Sequence, residues 1–438
     1  MARIAIAGGG LAGLAAGAAL AQSGHEATVL EARAWTGGRA SSWPLPGGDE
    51  VIDNCQHILL KCCVNLLDFY RRIGAENEIE FYRRFYYVEP GGRTSVFSAG
   101  LLPAPLHFSG SFAGLKFLSA GEKLAAARAL AALLRESGRR RDLDAITMRA
   151  WLEEKRQGGR LISRFWAPVL VSAINEELDR MAAGHGFQVF RLAFFASKDG
   201  YQMGVPRVPL GELYGAGRLR RIHGLDVRLR TKVNAVRMET DRVMALETDA
   251  GPVEADVFIL ALPFHVLRTL LPEAVPDWDA FTHSPIAGIH LWFDRPVTEL
   301  PHAVLLDSPF QWLFNKGEGR QVQLVVSAAR FLLDWPRERV IQEAVADLAR
   351  YFPAVLKARV EKAHVVKEVR ATFSAAPGLE AKRPRAETRW RNLFLAGDWT
   401  QTGWPSTMEG AVRSGYRAAE AACRLLGEPR RFLLPDIG

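Results

Sequence analysis

The stretch Arg3-Ile4-Ala5-Ile6-Ala7-Gly8-Gly9-Gly10-Leu11-Ala12-Gly13 decides the fold of this chain. Arg3 to Ala7 reads as a short buried strand, and the alanine-rich run from Leu11 to Ser23 as a helix stopped by Gly24. The glycines between them match G-x-G-x-x-G. Gly8 permits the tight turn, Gly10 lets the backbone approach a pyrophosphate, and Gly13 lets the helix lie close to the sheet. The helix start, from Leu11 and Ala12, offers free N–H groups and a positive dipole end to phosphate oxygens. Ala27 to Leu30 adds a second strand. Glu31, eighteen residues beyond Gly13, stands where a carboxylate accepts ribose hydroxyls.

A leader peptide competes for the same residues, because Ile4 to Gln22 is uncharged and contains Ala19-Leu20-Ala21. Gly8, Gly9, Gly10, Gly13 and Gly17 weaken any membrane helix there. Each of them has a place in a strand–turn–helix unit, and that is the expectation.

Working outward, 438 residues exceed one compact core, so two consecutive or intertwined domains are expected. The formal net charge of +8 and pI of about 9.4 favour anionic partners. No zinc-finger spacing and no aromatic–basic RNA-binding pattern accompanies that charge, so nucleic acid is not an expected partner. Cys55, Cys62, Cys63 and Cys423 are too few and too badly spaced for a disulfide framework or a metal site. The expected setting is a reducing cytoplasm, peripheral to the inner face of an anionic membrane.

Further along, Phe81 to Phe97 reads as a hairpin turning at Pro90-Gly91-Gly92. Val96 to Ser119 carries Lys116 as its one charge. Gly121 to Arg135 reads as an amphipathic helix with Leu124, Ala127, Leu130, Ala131 and Leu134 on one face. Arg139-Arg140-Arg141 follows. Segment 96–135 is expected either to face a membrane or to form core. Strands are expected across Val227 to Leu262, at Gly288 to Phe293, Val322 to Ser327 and Asn392 to Ala396, with a helix over Arg339 to Tyr351. The chain thus leaves and re-enters one domain. The expected fold is α/β, a Rossmann-type, glutathione-reductase-like cofactor domain (1–60, 203–270 and 385–430) interleaved with an α+β substrate domain (61–202 and 271–384).

Four motifs narrow the chemistry. Glu31-Ala32-Arg33 followed by Gly37-Gly38-Arg39 resembles the double-glycine-arginine extension of the flavin-containing amine oxidase and carotenoid desaturase superfamily. Leu395-Ala396-Gly397-Asp398 ends a strand in a carboxylate suited to the ribityl or pyrophosphate end of a flavin nucleotide. Pro405-Ser406-Thr407-Met408-Glu409-Gly410 opens a helix that aims its N-terminus at the flavin's pyrimidine ring, or is an ordinary capping box, Ser406-x-x-Glu409. Asp53-Asn54-Cys55-Gln56-His57, taken with Thr407 to Gly415, resembles the squalene-associated FAD-dependent desaturases, the hydroxysqualene dehydroxylases of bacterial hopanoid synthesis. The resemblance runs from the opening strand to Gly415. Cys55 stands where that family has glycine, and Lys61-Cys62-Cys63 replaces a smaller stretch.

The resemblance implies FAD as cofactor, held by Gly8, Gly10, Leu11, Ala12, Gly13, Glu31, Ala32, Arg33, Gly38, Arg39, Gly397, Asp398, Thr407, Met408 and Glu409. It also puts Val233 where related enzymes lay a backbone over the adenine. It implies an enzyme that removes the hydroxyl of hydroxysqualene, with an electron donor the sequence does not name. A hydroxide leaving group needs a proton. His57 is the expected acid, Asp53 its orienting partner or a helix N-cap, and Gln56 and Asn54 its hydrogen-bonding neighbours. Two alternatives remain open: a desaturase or amine oxidase of the same fold, and a non-enzymatic isoprenoid carrier.

Overall fold

A strand covered on both faces must be apolar throughout, and Ile4 to Ala7 meets that requirement at the centre of a parallel sheet. The computed structural model describes residues 1–45 and 50–437. The strands used below are, in chain order, β1 (Arg3–Ala7), β2 (Glu26–Leu30), β3 (Phe85–Val88), β4 (Thr94–Phe97), β5 (Leu225–Arg228) and β6 (Val257–Leu260). They continue with β7 (His283–Phe293), β8 (His302–Leu305), β9 (Trp312–Gly317), β10 (Gln321–Ser327), β11 (Val360–Phe373) and β12 (Leu393–Leu395). The helices are α1 (Leu11–Gln22), α2 (Val64–Arg72), α3 (Ala120–Glu136), α4 (Arg337–Ala349) and α5 (Met408–Leu425).

The first sheet runs β5-β2-β1-β6-β12, all parallel, with strands drawn from three well-separated stretches of chain. Helix α1 is buried on every side apart from Gln22, wedged between this sheet and α5. The crossing is unusually close. A Cβ on Gly13 would lie 2.0 Å from the Gly8 carbonyl oxygen, and one on Gly415 would lie 2.1 Å from that of Ala12.

The second sheet is seven-stranded and mixed, in the order β11-β7-β10-β9-β8-β3-β4, with only β8 and β3 parallel. Residues opposite one another share a face. One face carries Ala287, Ile289, Leu291, Leu313, Leu324 and Val326, covered by Val340, Ala344 and Leu348 of α4. The other carries His290, Gln323, Phe314 and His302 in one cross-strand row. It looks toward the 53–57 loop, since Gly288 of β7 lies against the Asn54 carbonyl.

Segment 96–135 divides, where a single role was expected. Phe108, Leu115, Phe117 and Leu118 are core, while Leu101, Leu102 and Leu106 are exposed. Helix α3 opens on a Ser119–Glu122 capping box and turns Ala126, Ala129, Ala132 and Leu133 inward. The expected apolar face lies outward, with Leu124 and Leu134 exposed to solvent. Alanines permit a closer approach than leucines do, so the small-residue face packs and the leucines stay outside. No described helix is long and apolar enough to cross a membrane.

Gly415→Leu forces a side chain into backbone that cannot yield. It should lower stability by about 3 kcal/mol, the upper end of ordinary overpacking. Thermal and denaturant melts check this, and an unchanged melting point would show that α1 and α5 can separate freely.

Candidate functional site

The site begins at the glycine turn. Gly8 has φ +106°, and its N–H donates to the Leu30 carbonyl at 2.8 Å, which turns the chain over the end of β2. Gly37 N–H donates to the Gly9 carbonyl at 2.8 Å, so the second glycine pair lies along the first. Around Gly10 the picture reverses: a Cβ there would meet nothing within 4 Å. The loop is packed everywhere except where a ligand would approach.

Glu31 is buried, and its carboxylate accepts from Gly9 N–H and Arg33 N–H, each at 2.8 Å. Each oxygen keeps a lone pair for a further donor. Arg33 is exposed and donates to the Gly38 carbonyl at 3.1 Å, and Ala32 is exposed beside it. Arg230 N–H and Thr231 N–H donate to the carbonyls of Arg33 and Glu31, which brings the run into Val233 alongside.

At the far end, Asp398 is engaged on both oxygens, by Arg39 and by the Ser406 hydroxyl. It therefore acts through these two groups. Arg39 also donates to the Ala371 carbonyl of β11, tying the turn to the second sheet. Gly397 N–H donates to Ser414 at 2.8 Å. The buried Arg383 guanidinium holds the 398–404 loop through the carbonyls of Asp398 and Trp404 (both 2.8 Å) and Thr402 Oγ1 (2.9 Å).

The capping-box alternative is corrected. Thr407 is the N-cap of α5, accepting from Gly410 N–H at 3.0 Å, so Met408 and Glu409 present the first N–H groups of the helix. The Glu409 carboxylate turns away. It accepts from Leu66 N–H at 2.7 Å and Asn65 Nδ2 at 2.8 Å, capping α2 from another part of the chain. The Leu66 N–H, in the first turn of α2, would otherwise be buried without a partner, which is the reason for the capture.

The Asp53–His57 loop carries two further corrections. Asp53 does not orient His57: its Oδ1 accepts from Ser42 at 2.6 Å and from Leu210 N–H at 3.0 Å, at the start of a short helix. Nor does it cap a helix of its own segment, since it ends a strand. His57 Nδ1 instead lies 2.9 Å from the Cys55 carbonyl, a contact only N–H can make. Burial lowers the His57 pKa, with Asp53 opposing. The ring is therefore neutral near pH 7 and offers Nε2 as an acceptor, where an acid was expected. Gln56 accepts from Lys316 Nζ at 2.8 Å. Asn54 donates to the Arg39 carbonyl at 2.7 Å, and its buried Oδ1 has no partner among the described residues. Cys55 is buried, its thiol pushed up to about 12 by desolvation and then by Asp53.

The family model for flavin-containing amine oxidoreductases matches residues 11–423. The chain belongs to that family. It is 29% identical to the hydroxysqualene dehydroxylase of Rhodopseudomonas palustris, covering 94% of this chain and 96% of that one. It is 27% identical to the zeta-carotene desaturase of Synechocystis sp., covering 96% of each. The fold matches that of cyclohexylamine oxidase from Brevibacterium oxydans with a TM-score of 0.71 at 17% identity, covering 97% and 99% of the two chains.

FAD is accordingly the cofactor of this flavin-containing oxidoreductase, and the residues present fit it. The open space at Gly10 and the α1 N-terminus suit the pyrophosphate. Glu31 suits the adenosine ribose, and the orphaned Asn54 Oδ1 suits a hydroxyl donor. Sequence reasoning missed Arg383 and Lys316, which nothing local marks among 56 lysines and arginines, and gave Ser406 a capping role where its hydroxyl goes to Asp398.

Gly10→Val should fold, because its φ of −75° and open surroundings suit a side chain. It costs about 1 kcal/mol at the helix N-cap. It should emerge without flavin absorbance, since the side chain fills the phosphate space. Full flavin occupancy would place the pyrophosphate elsewhere.

Proposed function

We propose that this protein removes the hydroxyl group of hydroxysqualene reductively, giving squalene. One observation carries the choice over a desaturase. The loop tied to Arg39 through Asn54 carries His57 and Gln56, the latter bonded to Lys316, opposite a sheet face where His290 and Gln323 stand beside Phe314. A polyene has nothing to hydrogen-bond there, whereas an allylic alcohol has its oxygen. Burying such polar groups against a pure hydrocarbon would leave them unpaired.

Bound FAD, once reduced, supplies the hydrogen and electron pair that replace the hydroxyl. The chain's own part is to bind, orient and desolvate. His57 Nε2 accepts the hydrogen bond of the substrate hydroxyl and so fixes which carbon is presented. The aromatic faces of Trp312 and Phe314, stacked at 5.8 Å, line the same face of the sheet and favour a developing allylic cation. Exclusion of water protects that cation from capture.

A membrane-facing entrance accompanies this reading. Leu101, Leu102 and Leu106 are 98%, 51% and 58% exposed within one short stretch. Lys116, Arg128, Arg135, Arg139 and Arg141 are exposed in the same part of the chain, while Arg140 is taken by Glu136, Asp142 and Glu154. Exposed leucines with basic neighbours suit an anionic lipid surface.

Anaerobic incubation of the reduced, FAD-loaded protein with hydroxysqualene should reoxidise the flavin and yield squalene in matching amounts. Oxidised protein that desaturates zeta-carotene, with reduced protein inert toward hydroxysqualene, would move the assignment to the desaturases. Replacing Leu101, Leu102 and Leu106 together by serine should weaken binding to phosphatidylserine vesicles at low salt and leave flavin content intact. Undiminished vesicle binding would remove this surface from the entrance.

A further inference from the structure

Lys316 stands out among the groups left over. It occupies β9 at an irregularity of register: Asn315 pairs with Val322 and Gly317 with Gln321, so Lys316 is the extra residue of a β-bulge. Bulges re-aim side chains, and they concentrate beside active sites. Alternation along β9 puts Lys316 on the face that carries Phe314, and its ammonium lies 2.8 Å from Gln56 Oε1. Lys316 is exposed by area, yet its pKa is lowered because its neighbours desolvate the ammonium, with Asp53 opposing. Across the strands, that face continues through Phe314 to Gln323 and His290. His57, partly exposed and also desolvated, is the next residue after Gln56 in the loop.

We infer that Lys316 is the proton donor of the dehydroxylation, an inference resting on the reading above. His57 cannot fill that role near neutral pH, because its proton is on Nδ1 and directed at the Cys55 carbonyl. Gln56 has no proton to give. Lys316 holds three N–H bonds and spends one on Gln56 Oε1, which leaves donors for the substrate oxygen. As the step proceeds, an Nζ–H bond breaks and an O–H bond forms. The C–O bond breaks with its electron pair leaving on the departing water, and Lys316 becomes a neutral amine. The vacancy at carbon is filled by the hydrogen and electron pair from reduced FAD.

The charge balance favours this chemistry over desaturation. An ammonium that keeps its proton repels a carbocation forming beside it. An ammonium that surrenders its proton as the cation forms leaves the net charge of the site unchanged. Desolvation assists, because it weakens the hold of Lys316 on the proton. The titratable groups that interact with it are Asp53 on the loop and His290 on β7, while Glu318 follows it by two residues in the turn. His364 of β11 lies behind His290, with ring centroids 6.5 Å apart. Burial lowers the His290 pKa to about 4, so it stays neutral while Lys316 titrates.

The test is single-turnover reoxidation of the reduced holoenzyme by hydroxysqualene across pH, for wild type, Lys316→Met and Lys316→Arg. The active form is protonated, so the wild-type rate should fall as pH rises through a pKa below the ordinary 10.5 of lysine. Both variants should react about 10²–10⁴-fold more slowly, the usual worth of a positioned acid. Arginine keeps the charge but not a transferable proton, so Lys316→Arg should also lose the basic limb. Flavin content and hydroxysqualene binding, followed by tryptophan fluorescence, should stay near wild type. A wild-type rate in Lys316→Met, or an unaltered basic limb in Lys316→Arg, overturns the acid role and leaves the dehydroxylase reading standing. Slow variants that have lost substrate binding or flavin make Lys316 structural and overturn it too. Wild-type enzyme inert toward hydroxysqualene at every pH sinks the reading and the acid role together.

Discussion

The contact of backbone with backbone at Gly8, Gly13 and Gly415 is the constraint on which the rest depends. It brings α1 down onto the sheet and α5 down onto α1, closer than any side chain would allow. Two helix N-termini therefore belong to one packed unit, and their free N–H groups suit the anionic parts of a flavin nucleotide. A dipole end has value only within about a turn of its ligand, so the close packing is what makes these ends useful. The open space at Gly10 is the complement of the crowding around it.

Arg39 then joins that unit to the second sheet. Its side chain reaches Asp398 at the end of β12 and the Ala371 carbonyl of β11, and its own carbonyl is held by Asn54. Loops from three distant stretches meet at one residue. Ser406 and Arg383 stiffen the same junction from the other side. Networks of this kind are costly when half made, because any unpaired member is a buried polar group without a partner. The position of the 53–57 loop, and with it His57, follows from this junction and not from local helix or strand propensity.

The titrating groups of the loop share a cause. Burial lowers His57 and Lys316 and raises Cys55, each shift disfavouring the charged form. Asp53 runs through all three as the local counter-charge, although its own hydrogen bonds go to Ser42 and Leu210. Burial that outweighs the nearby carboxylates keeps histidine neutral and cysteine a thiol, and it loosens the hold of lysine on its proton.

The local sequence determined the parts whose conformations are fixed within a few residues. G-x-G-x-x-G dictates its turn whatever surrounds it, because only glycine tolerates Gly8's φ and Gly13's spacing. The buried parallel strands announce themselves as short apolar runs, and Gly37-Gly38-Arg39 and Gly397-Asp398 by their positions after and within them. Tertiary structure decided everything that depends on which distant group arrives first. Glu409 could have capped its own helix but was claimed by α2, and Asp53 was drawn to Ser42 and Leu210 before it could serve His57. The leucine face of α3 could have met membrane or core, and packing put Ala126, Ala129, Ala132 and Leu133 inward and the leucine face outward. Lys316 meets Gln56 only because β9 and the 53–57 loop, 260 residues apart in sequence, pack together. Hydrogen-bond partners and packing distances are properties of pairs, and one chain position read by itself does not contain its partner.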